Sequence, residues 1–478
     1  MRDIFGLKEH GTTPMKEAVA GLTTFLSMAY ILITVPGILG DAGMEWGAVF
    51  LASAISSIVG TLVMALYANV PYALAPGLGM ASFFTVTVCG SMGFSWQEGL
   101  AIVFICGLVN IAITLTNVRR KIIASIPRSL QYAISGGIGL FVAYIGILQV
   151  GLIDLSAGVP ELANLAQPAV ALFILALALV LILMGKGVNG APLIVIIAIS
   201  VIGIPLGLTD MGDTVSISDA FSQLSGSVGA IFSGEGIPAL FTDADRLPMA
   251  VVAIISFSLV DTFDTVGSFI GTGRKSKLFT DEELTSEGEG GFNTRMDRAL
   301  VADSVATSVG AFVGTTNTTT VIESMVGISE GGRTGLTAVV VAVCLAATMF
   351  ASPLISAIPV AAYSAVLVAV GILMMSSFRN IDWEDFFEAV PAFFAGLFTA
   401  LCYNISYGIG LAFITFCLMR LVSGRGREVS PMMWGISAVF VLMFAVQALV
   451  RSSRSVLLEL PADHGQVCQQ TLDLDAFQ

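Results

Sequence analysis

Apolar runs of about 20 residues recur from one end of this chain to the other, and they limit its possible folds more than any other feature. Of the 478 residues, 56% are apolar and only 12% are charged. One helix of about 20 apolar residues spans a bilayer, and continuous rather than alternating apolar runs exclude a membrane β-barrel. The longest polar intervals, 210–246 and 273–298, are too short to bury a core of their own. The sequence therefore predicts an all-α polytopic membrane protein.

The apolar runs form two groups of seven. The first group covers residues 17–39, 47–68, 73–90, 98–116, 129–149, 168–185 and 191–209, and the second covers 247–272, 296–313, 317–330, 334–351, 356–377, 384–402 and 405–421. Two homologous halves with an odd number of spans have opposite orientations, which is the inverted-repeat plan of many secondary transporters. A short match between spans 2 and 9 supports this plan: Ala52, Val59, Gly60 and Val63 correspond to Ala302, Val309, Gly310 and Val313. We expect 14 transmembrane segments in two inverted seven-helix repeats.

The basic residues predict the orientation. With a cytoplasmic N-terminus, the inner loops hold 18 of the 21 lysines and arginines, and Arg246 is the only one in an outer loop between these spans. This asymmetry follows the positive-inside rule. A fifteenth apolar run, 431–450, precedes Arg451 and Arg454. A full crossing would place both arginines outside, so we expect an interfacial, re-entrant or peripheral helix there.

Spans 3 and 10 contain segments that are unfavourable for continuous helix. Prolines and glycines at Pro71, Pro76, Gly77 and Gly79 interrupt the segment that leads into and begins span 3. The segment that leads into and begins span 10 has threonines at positions 315, 316, 318, 319 and 320. Interrupted segments at corresponding places in two repeats indicate a binding site near the membrane midplane. Extended backbone at that depth has to line a cavity or pair. We therefore expect two short β-strands that pair with each other.

Three carboxylates within apolar spans are the strongest functional candidates. Asp261 and Asp264 share a helix face because they are three residues apart, and Glu323 follows the threonine-rich segment. Each acid costs about 2.5–3.5 kcal/mol to insert, so it is retained for an ion pair or for function. Because the spans hold almost no bases, we favour substrate contact and proton coupling by Asp261, Asp264 and Glu323. The oxygens of Glu323 could accept N–H donors of a planar heterocycle.

The interrupted segments supply further candidate binding residues: Ala81, Ser82, Phe83, Asn317, Thr318, Ile322 and Ser324. Phe83 could stack on a flat ligand or simply pack, and the threonine hydroxyls could contact a ligand or satisfy local backbone groups. Asp303 in span 9 is expected to have a local polar role. Both histidines lie outside the spans, and no metal-ligand spacing or catalytic motif occurs, so we expect no metal, no cofactor and no catalytic residue.

Several motifs in order resemble the AzgA-like purine permeases, which belong to the xanthine/uracil and nucleobase-ascorbate permease family. The motifs are AGLTTFLSMAY at 20–30, APGLG at 75–79, VDTFDTVG at 260–267, NTT at 317–319 followed by Glu323, and GGRTG at 331–335. The resemblance covers residues 17–422. It implies that Glu323 hydrogen-bonds the base, that Asp261 is the acid of span 8 in the site, and that Asp264 is a second acid of this subfamily.

The resemblance also implies a core domain and a gate domain, proton-coupled uptake, an elevator-like movement of the core, and a homodimer formed through the gate. The expected division is a cytoplasmic N-terminus at 1–16, core at 17–116, gate at 117–209, an outer loop at 210–246, core at 247–351, gate at 352–422 and a C-terminal region at 423–478. The expected location is the inner or plasma membrane.

One departure concerns position 81, where the purine subfamily usually has asparagine and this chain has Ala81. The choice among adenine, guanine and hypoxanthine therefore cannot be inferred from the resemblance. We expect a proton-coupled importer whose partners are a purine nucleobase, protons and the bilayer, with no nucleic acid. The alternatives are an anion transporter of the same fold, which a site with three acids disfavours, and a membrane-embedded enzyme.

Overall fold

The computed structural model of the protein describes residues 4–116, 126–154, 160–209, 214–242, 246–276, 278, 294–402 and 405–458. Helices dominate these residues. In chain order they are α1 (Pro14–Met28), α2 (Ile31–Gly40), α3 (Trp46–Val63), α4 (Leu78–Ser82), α5 (Trp96–Leu115), α6 (Arg128–Gln149), α7 (Pro168–Gly185), α8 (Ala191–Gly203), α9 (Ile217–Ser227), α10 (Ile237–Thr242), α11 (Leu247–Ser276), α12 (Arg295–Val313), α13 (Ser324–Ser329), α14 (Gly335–Thr348), α15 (Ser352–Ser356), α16 (Val360–Met375), α17 (Phe386–Phe393), α18 (Thr399–Leu401), α19 (Ile405–Val422) and α20 (Pro431–Leu458).

Four short strands accompany the helices: β1 (Leu74–Pro76), β2 (Ile153–Asp154), β3 (Glu161–Leu162) and β4 (Thr318–Thr320). Segments of π-helix continue three of the helices at Met64–Ala68, Phe83–Ser91 and Phe394–Phe398. Seven helical segments of the described residues are long and apolar enough to cross a membrane: Pro14–Gly40, Trp46–Ala68, Trp96–Leu115, Arg128–Gln149, Pro168–Gly185, Gly335–Ser356 and Val360–Asn380. The predicted helical membrane class is confirmed.

Strands β1 and β4 pair with each other, as predicted. They are antiparallel, with Leu74 opposite Thr320 and Pro76 opposite Thr318. The pairing continues beyond the strands, because Gly77 N donates to the carbonyl of Asn317 at 3.0 Å. Pro76 has no N–H to donate, so its place at the end of a strand leaves no ladder bond unmade. The pair satisfies backbone groups of two interrupted segments that come from opposite halves of the chain.

The helices pack in two groups. In the first, α5 packs on α11 and α12, α3 packs on α12 and α14, and α1 packs on α13 and α14. In the second, α6 packs on α16, α16 packs on α7, and α19 lies between α17 and α20. Contacts of α4 and α11 with α6 join the groups. The strand pair belongs to the first group, since β1 contacts α3 and β4 contacts α12.

The GGRTG motif forms the connection into α14, where a buried carboxylate holds it. Glu17 on α1 is fully buried, and its Oε1 accepts from Arg333 N at 2.9 Å. Its Oε2 accepts from Thr337 N at 3.2 Å and from the Thr337 hydroxyl at 2.6 Å. Gly335 is required at the start of α14, because a Cβ there would lie 2.1 Å from the carbonyl oxygen of Ala65. These contacts tie α1 to α14.

Some boundaries differ from the predicted runs. The first run is divided between α1 and α2, which leaves Tyr30 at the break. The polar interval 210–246 contains α9, which packs on α3 through buried Ala220 and Leu224. The helix expected at 431–450 is observed as α20, which packs on α19 and α11. Its position relative to the bilayer remains a prediction.

Candidate functional site

Glu323 lies where β4 ends and α13 begins, and its side chain is partly exposed. The hydroxyl of Tyr30 donates to Glu323 Oε1 at 2.5 Å. Tyr30 is only 1% exposed, so packing holds its side chain in place, and the hydrogen bond fixes the position of one carboxylate oxygen of Glu323. Among the residues that the structure describes, no side chain donates to the other oxygen, Oε2, which can therefore accept a hydrogen bond from a ligand. Sequence reasoning missed Tyr30, although its phenol is a polar group in an otherwise apolar run, and buried tyrosine hydroxyls usually find a partner.

Asp264 lies on α11 at the side of the strand pair. Its side chain is partly exposed, and its charge is close enough to interact with Glu323, Asp303 and Tyr30. A Cβ at Gly77, which follows β1, would lie 3.7 Å from Asp264 Oδ2. Asp264 and Glu323 therefore border the same space beside the crossing of the two interrupted segments.

Asp261 lies one helical turn away and has a different environment. It is fully buried, and its Oδ2 accepts a hydrogen bond from Asn110 Nδ2 on α5 at 2.8 Å. The spacing of three residues predicted a shared face for Asp261 and Asp264. The structure directs Asp261 toward α5 and Asp264 toward Glu323. Asn110 was not among the sequence candidates.

Asp303 on α12 anchors β4 and confirms the local polar role expected from the sequence. Its Oδ1 accepts from Thr320 N at 2.9 Å and from the hydroxyls of Thr265, Thr319 and Thr320 at 2.8, 3.2 and 3.2 Å. Thr265 belongs to α11, so this one oxygen joins β4, α11 and α12. The threonine-rich strand is thereby held beside the acids of α11.

Three other candidate side chains contact the scaffold. The hydroxyl of Ser82 donates to the carbonyl of Leu78 at 2.9 Å, and that of Thr318 donates to Ser56 Oγ at 2.9 Å. Ser324 Oγ accepts from Ala73 N at 3.1 Å. These three residues lie around the strand pair, and the hydrogen bonds of their hydroxyls go to the protein. Their predicted contact with a substrate stays a prediction.

The remaining candidates are also grouped around the strands. Ala81 and Phe83 are fully buried, and Phe83 packs edge-on against Phe257 of α11 at 4.6 Å between ring centroids. Asn317 is buried, with its Nδ2 3.7 Å from Cys106 Sγ. Ile322 is 47% exposed and precedes Glu323 directly. Of the predicted binding residues, Glu323 and Ile322 are therefore the accessible ones.

The charge of this site is negative. Among the residues that the structure describes, no lysine or arginine forms an ion pair with Asp264 or Glu323. The ion pairs found among these residues join Arg246 and Arg420 to other acids. Within the same residues, no group of three or more histidine, cysteine or acidic side chains has a geometry that could hold a metal ion. The site offers carboxylate acceptors to a neutral or cationic ligand with N–H donors.

Comparison with solved structures shows that the chain shares its fold with membrane proteins of known structure. The transmembrane domain of the cyanobacterial bicarbonate transporter BicA matches with a TM-score of 0.58 and 16% sequence identity, over 82% of this chain and 96% of that domain. The murine Solute Carrier 26 family member A9 anion transporter, in its inward-facing state, also has a TM-score of 0.58, with 10% identity over 86% of this chain and 68% of that chain. The fold and the apolar helices thus define the class as a multi-pass membrane protein.

Sequence comparison gives the family. The Xan_ur_permease model, described as "Permease family", matches residues 15–411, and the chain belongs to this family of permeases. The chain is 37% identical to the adenine permease AdeP of Escherichia coli K12, over 92% of this chain and 94% of AdeP. It is 38% identical to the guanine/hypoxanthine permease PbuO of Bacillus subtilis, over 94% of this chain and 100% of PbuO. The protein is therefore a transporter and not an enzyme.

Proposed function

We propose that this permease takes up purine nucleobases together with protons. The observation that carries the proposal is Glu323, which is held beside the strand pair by Tyr30 and keeps Oε2 available to a ligand. Relatives whose names include adenine or guanine and hypoxanthine align with nearly the whole chain, which supports a purine as the substrate.

The acids suit a nucleobase because a purine has several N–H donors on a flat ring. Glu323 accepts an N–H of the base in a charge-assisted hydrogen bond. Ile322 supplies apolar surface next to it, Phe83 packs behind the strand pair, and buried Asp261 contributes negative charge behind the site. Ala81 provides no amide, so the hydrogen-bond pattern offered to the ring differs from that of the usual purine subfamily.

Proton coupling is proposed from the proximity of Asp264 and Glu323. The two carboxylates repel each other, and no lysine or arginine of the described residues forms an ion pair with either of them. Moving two charges through a low-dielectric environment is costly, and a proton taken up by one of them removes both the repulsion and one charge. A loaded, partly neutralised site can then cross the membrane more easily than an empty, charged one.

We further propose the architecture in which this site moves. The group of α1, α3, α5, α11, α12, α13 and α14 is the core. The gate is the group of α6, α7, α16, α17 and α19 together with α8, which packs on α7 and α16. The core carries the site past the gate in an elevator-like step. The proposal includes 14 spans, a cytoplasmic N-terminus, residence in the cell membrane and a homodimer formed through the gate.

The proposal is tested by uptake of radiolabelled purine into cells that lack their own purine permeases. Unlabelled adenine, guanine, hypoxanthine, xanthine and uracil are added as competitors, and a protonophore is added in a parallel series. We expect saturable uptake, competition by at least one purine, and loss of accumulation when the proton gradient is collapsed. Uptake of sulfate or bicarbonate with no purine uptake would instead establish an anion carrier, the alternative that the structural neighbours suggest.

A further inference from the structure

A buried amide on α5 controls the environment of Asp261. Asn110 is fully buried, and its Nδ2 donates to Asp261 Oδ2 at 2.8 Å. Its Oδ1 accepts from the hydroxyl of Ser258, which lies one turn before Asp261 on α11. The hydroxyl of Thr114 donates to the main-chain carbonyl of Asn110 at 2.7 Å. Asn110 therefore bridges two positions of the helix that carries both acids.

With Asp261 ionised, the chemistry of these three side chains allows one arrangement. An amide nitrogen can only donate and an amide oxygen can only accept, whereas a hydroxyl can do either. When Asp261 is ionised it can only accept, so the nitrogen of Asn110 must face it. The amide oxygen then faces Ser258, which must donate. In this orientation the amide favours the ionised carboxylate, because a proton on Asp261 Oδ2 would place two donors against each other.

For Asp264, no equivalent donor is found among the residues that the structure describes. Within the described part of the chain, the contacts of Asp264 are electrostatic and involve Tyr30 and the acids Glu323 and Asp303. Its side chain is partly exposed, whereas Asp261 is fully buried. The two aspartates thus differ in both hydrogen bonding and access. The titratable and charged groups on helices packed against α11 are Glu98 and Cys106 on α5, Arg128, Tyr132 and Tyr144 on α6, and Arg451 and Arg454 on α20. Asp303 contacts α11 through Thr265, and Glu323 directly precedes α13.

We propose that Asn110 is a positioning residue that keeps Asp261 ionised, so that the proton is carried by Asp264 together with Glu323. The inference rests on the proposed proton-coupled function. Asn110 does not touch the ligand; it acts through Asp261. The hydrogen bond from Ser258 fixes the orientation of the Asn110 amide, so Ser258 acts on Asp261 indirectly, through Asn110.

The first experiment follows protonation directly and needs no substrate. The full-length protein is reconstituted in lipid, and the carboxylic C=O stretch is followed by difference infrared spectroscopy as the pH is lowered. In the wild type, Asp264→Asn should remove most of the band, and Asp261→Asn should leave it unchanged. Asn110→Leu keeps a similar volume and removes the donor. It should raise the band area about twofold, from one protonated carboxyl to two, and the added intensity should vanish when Asp261→Asn is combined with it.

Two variants keep the inference testable if Asn110→Leu does not fold. Ser258→Ala leaves Asn110 in place and frees its amide to rotate, so it should produce a smaller increase that also depends on Asp261. The exchange Asn110→Asp with Asp261→Asn restores a hydrogen bond in which the amide of position 261 donates to the carboxylate of position 110. It should restore the melting temperature that Asn110→Asp alone lowers, but it should not restore the wild-type pH profile of uptake.

The outcomes separate this inference from the proposed function. Loss of the infrared band on Asp261→Asn in the wild-type background would overturn the role of Asn110, as would an unchanged band in both Asn110→Leu and Ser258→Ala. A pH profile fully restored by the exchange would show that Asn110 is merely structural. Absence of purine uptake by the wild type would refute the proposed function and leave the infrared result standing.

Discussion

The contact between Tyr30 and Glu323 gives a quantitative prediction. Tyr30→Phe removes one hydroxyl and retains the ring, so the packing at the break between α1 and α2 is preserved. The lost interaction is a short hydrogen bond of 2.5 Å to a carboxylate oxygen. Glu323 would then be free to rotate, and binding of a ligand to its Oε2 would have to restrict that motion again. We expect weaker binding in a protein that is otherwise correctly folded.

The size of the effect follows from the freedom that Glu323 gains, because the lost hydrogen bond is present with and without ligand. Immobilising a rotamer-rich side chain on binding costs about 0.5–1.5 kcal/mol. Glu323 is partly exposed and would lose the buried partner that fixes it, so the upper value applies. About 1.5 kcal/mol corresponds to a roughly tenfold increase in Kd. Uptake should show a similar increase in KM.

Affinity is measured by equilibrium binding of radiolabelled purine to purified protein, for the wild type and Tyr30→Phe. The matched control is Tyr363→Phe, which removes the hydroxyl of another buried tyrosine, on α16 beside Gly37. The control should bind as the wild type does. A Kd for Tyr30→Phe within about twofold of the wild-type value, less than about 0.5 kcal/mol, would refute the reasoning.

Two further substitutions test the scaffold of the site. Asp303→Ala removes the acceptor that holds Thr320 N and should lower the free energy of unfolding by about 1–3 kcal/mol, whereas Asp303→Asn keeps Oδ1 and should cost much less; thermal melting of the purified variants compares them. Equal losses would show that the charge of Asp303, and not its acceptor role, holds β4. Gly137→Ala would place a Cβ 2.0 Å from the carbonyl oxygen of Ala395 and should destabilise the protein by about 1–3 kcal/mol, while Gly185→Ala, with no heavy atom within 4 Å, should leave the melting temperature unchanged. A Gly137→Ala protein as stable as the control would contradict the close packing of α6.

The sequence predicted the strand pair because its signals are local. Proline and glycine interrupt one apolar run, and a row of threonines interrupts the other. The backbone groups of extended segments at membrane depth need hydrogen-bond partners, so the two interrupted segments were predicted to pair as strands. Glu323 was found for the same kind of reason, since an acid in an apolar segment is costly and therefore retained for a purpose.

The different surroundings of Asp261 and Asp264 could not be predicted from the sequence of α11 alone. Three-residue spacing gives adjacent positions on a helix, but the neighbouring helices decide what each position meets. Asp261 meets Asn110 of α5, which is 151 positions away in the sequence, and Asp264 meets the space near Glu323. Tyr30 was missed for the same reason, because its partner lies 293 positions away.

The central claim is that ionised Glu323 binds the nucleobase, and Glu323→Gln tests it most directly. Glutamine has the same shape and can still accept the hydrogen bond of Tyr30, but it lacks the charge. Uptake of radiolabelled purine is measured in cells that contain equal amounts of membrane-inserted wild-type and variant protein. The account predicts that Glu323→Gln abolishes saturable purine uptake, and unchanged saturable uptake with the wild-type KM would contradict it.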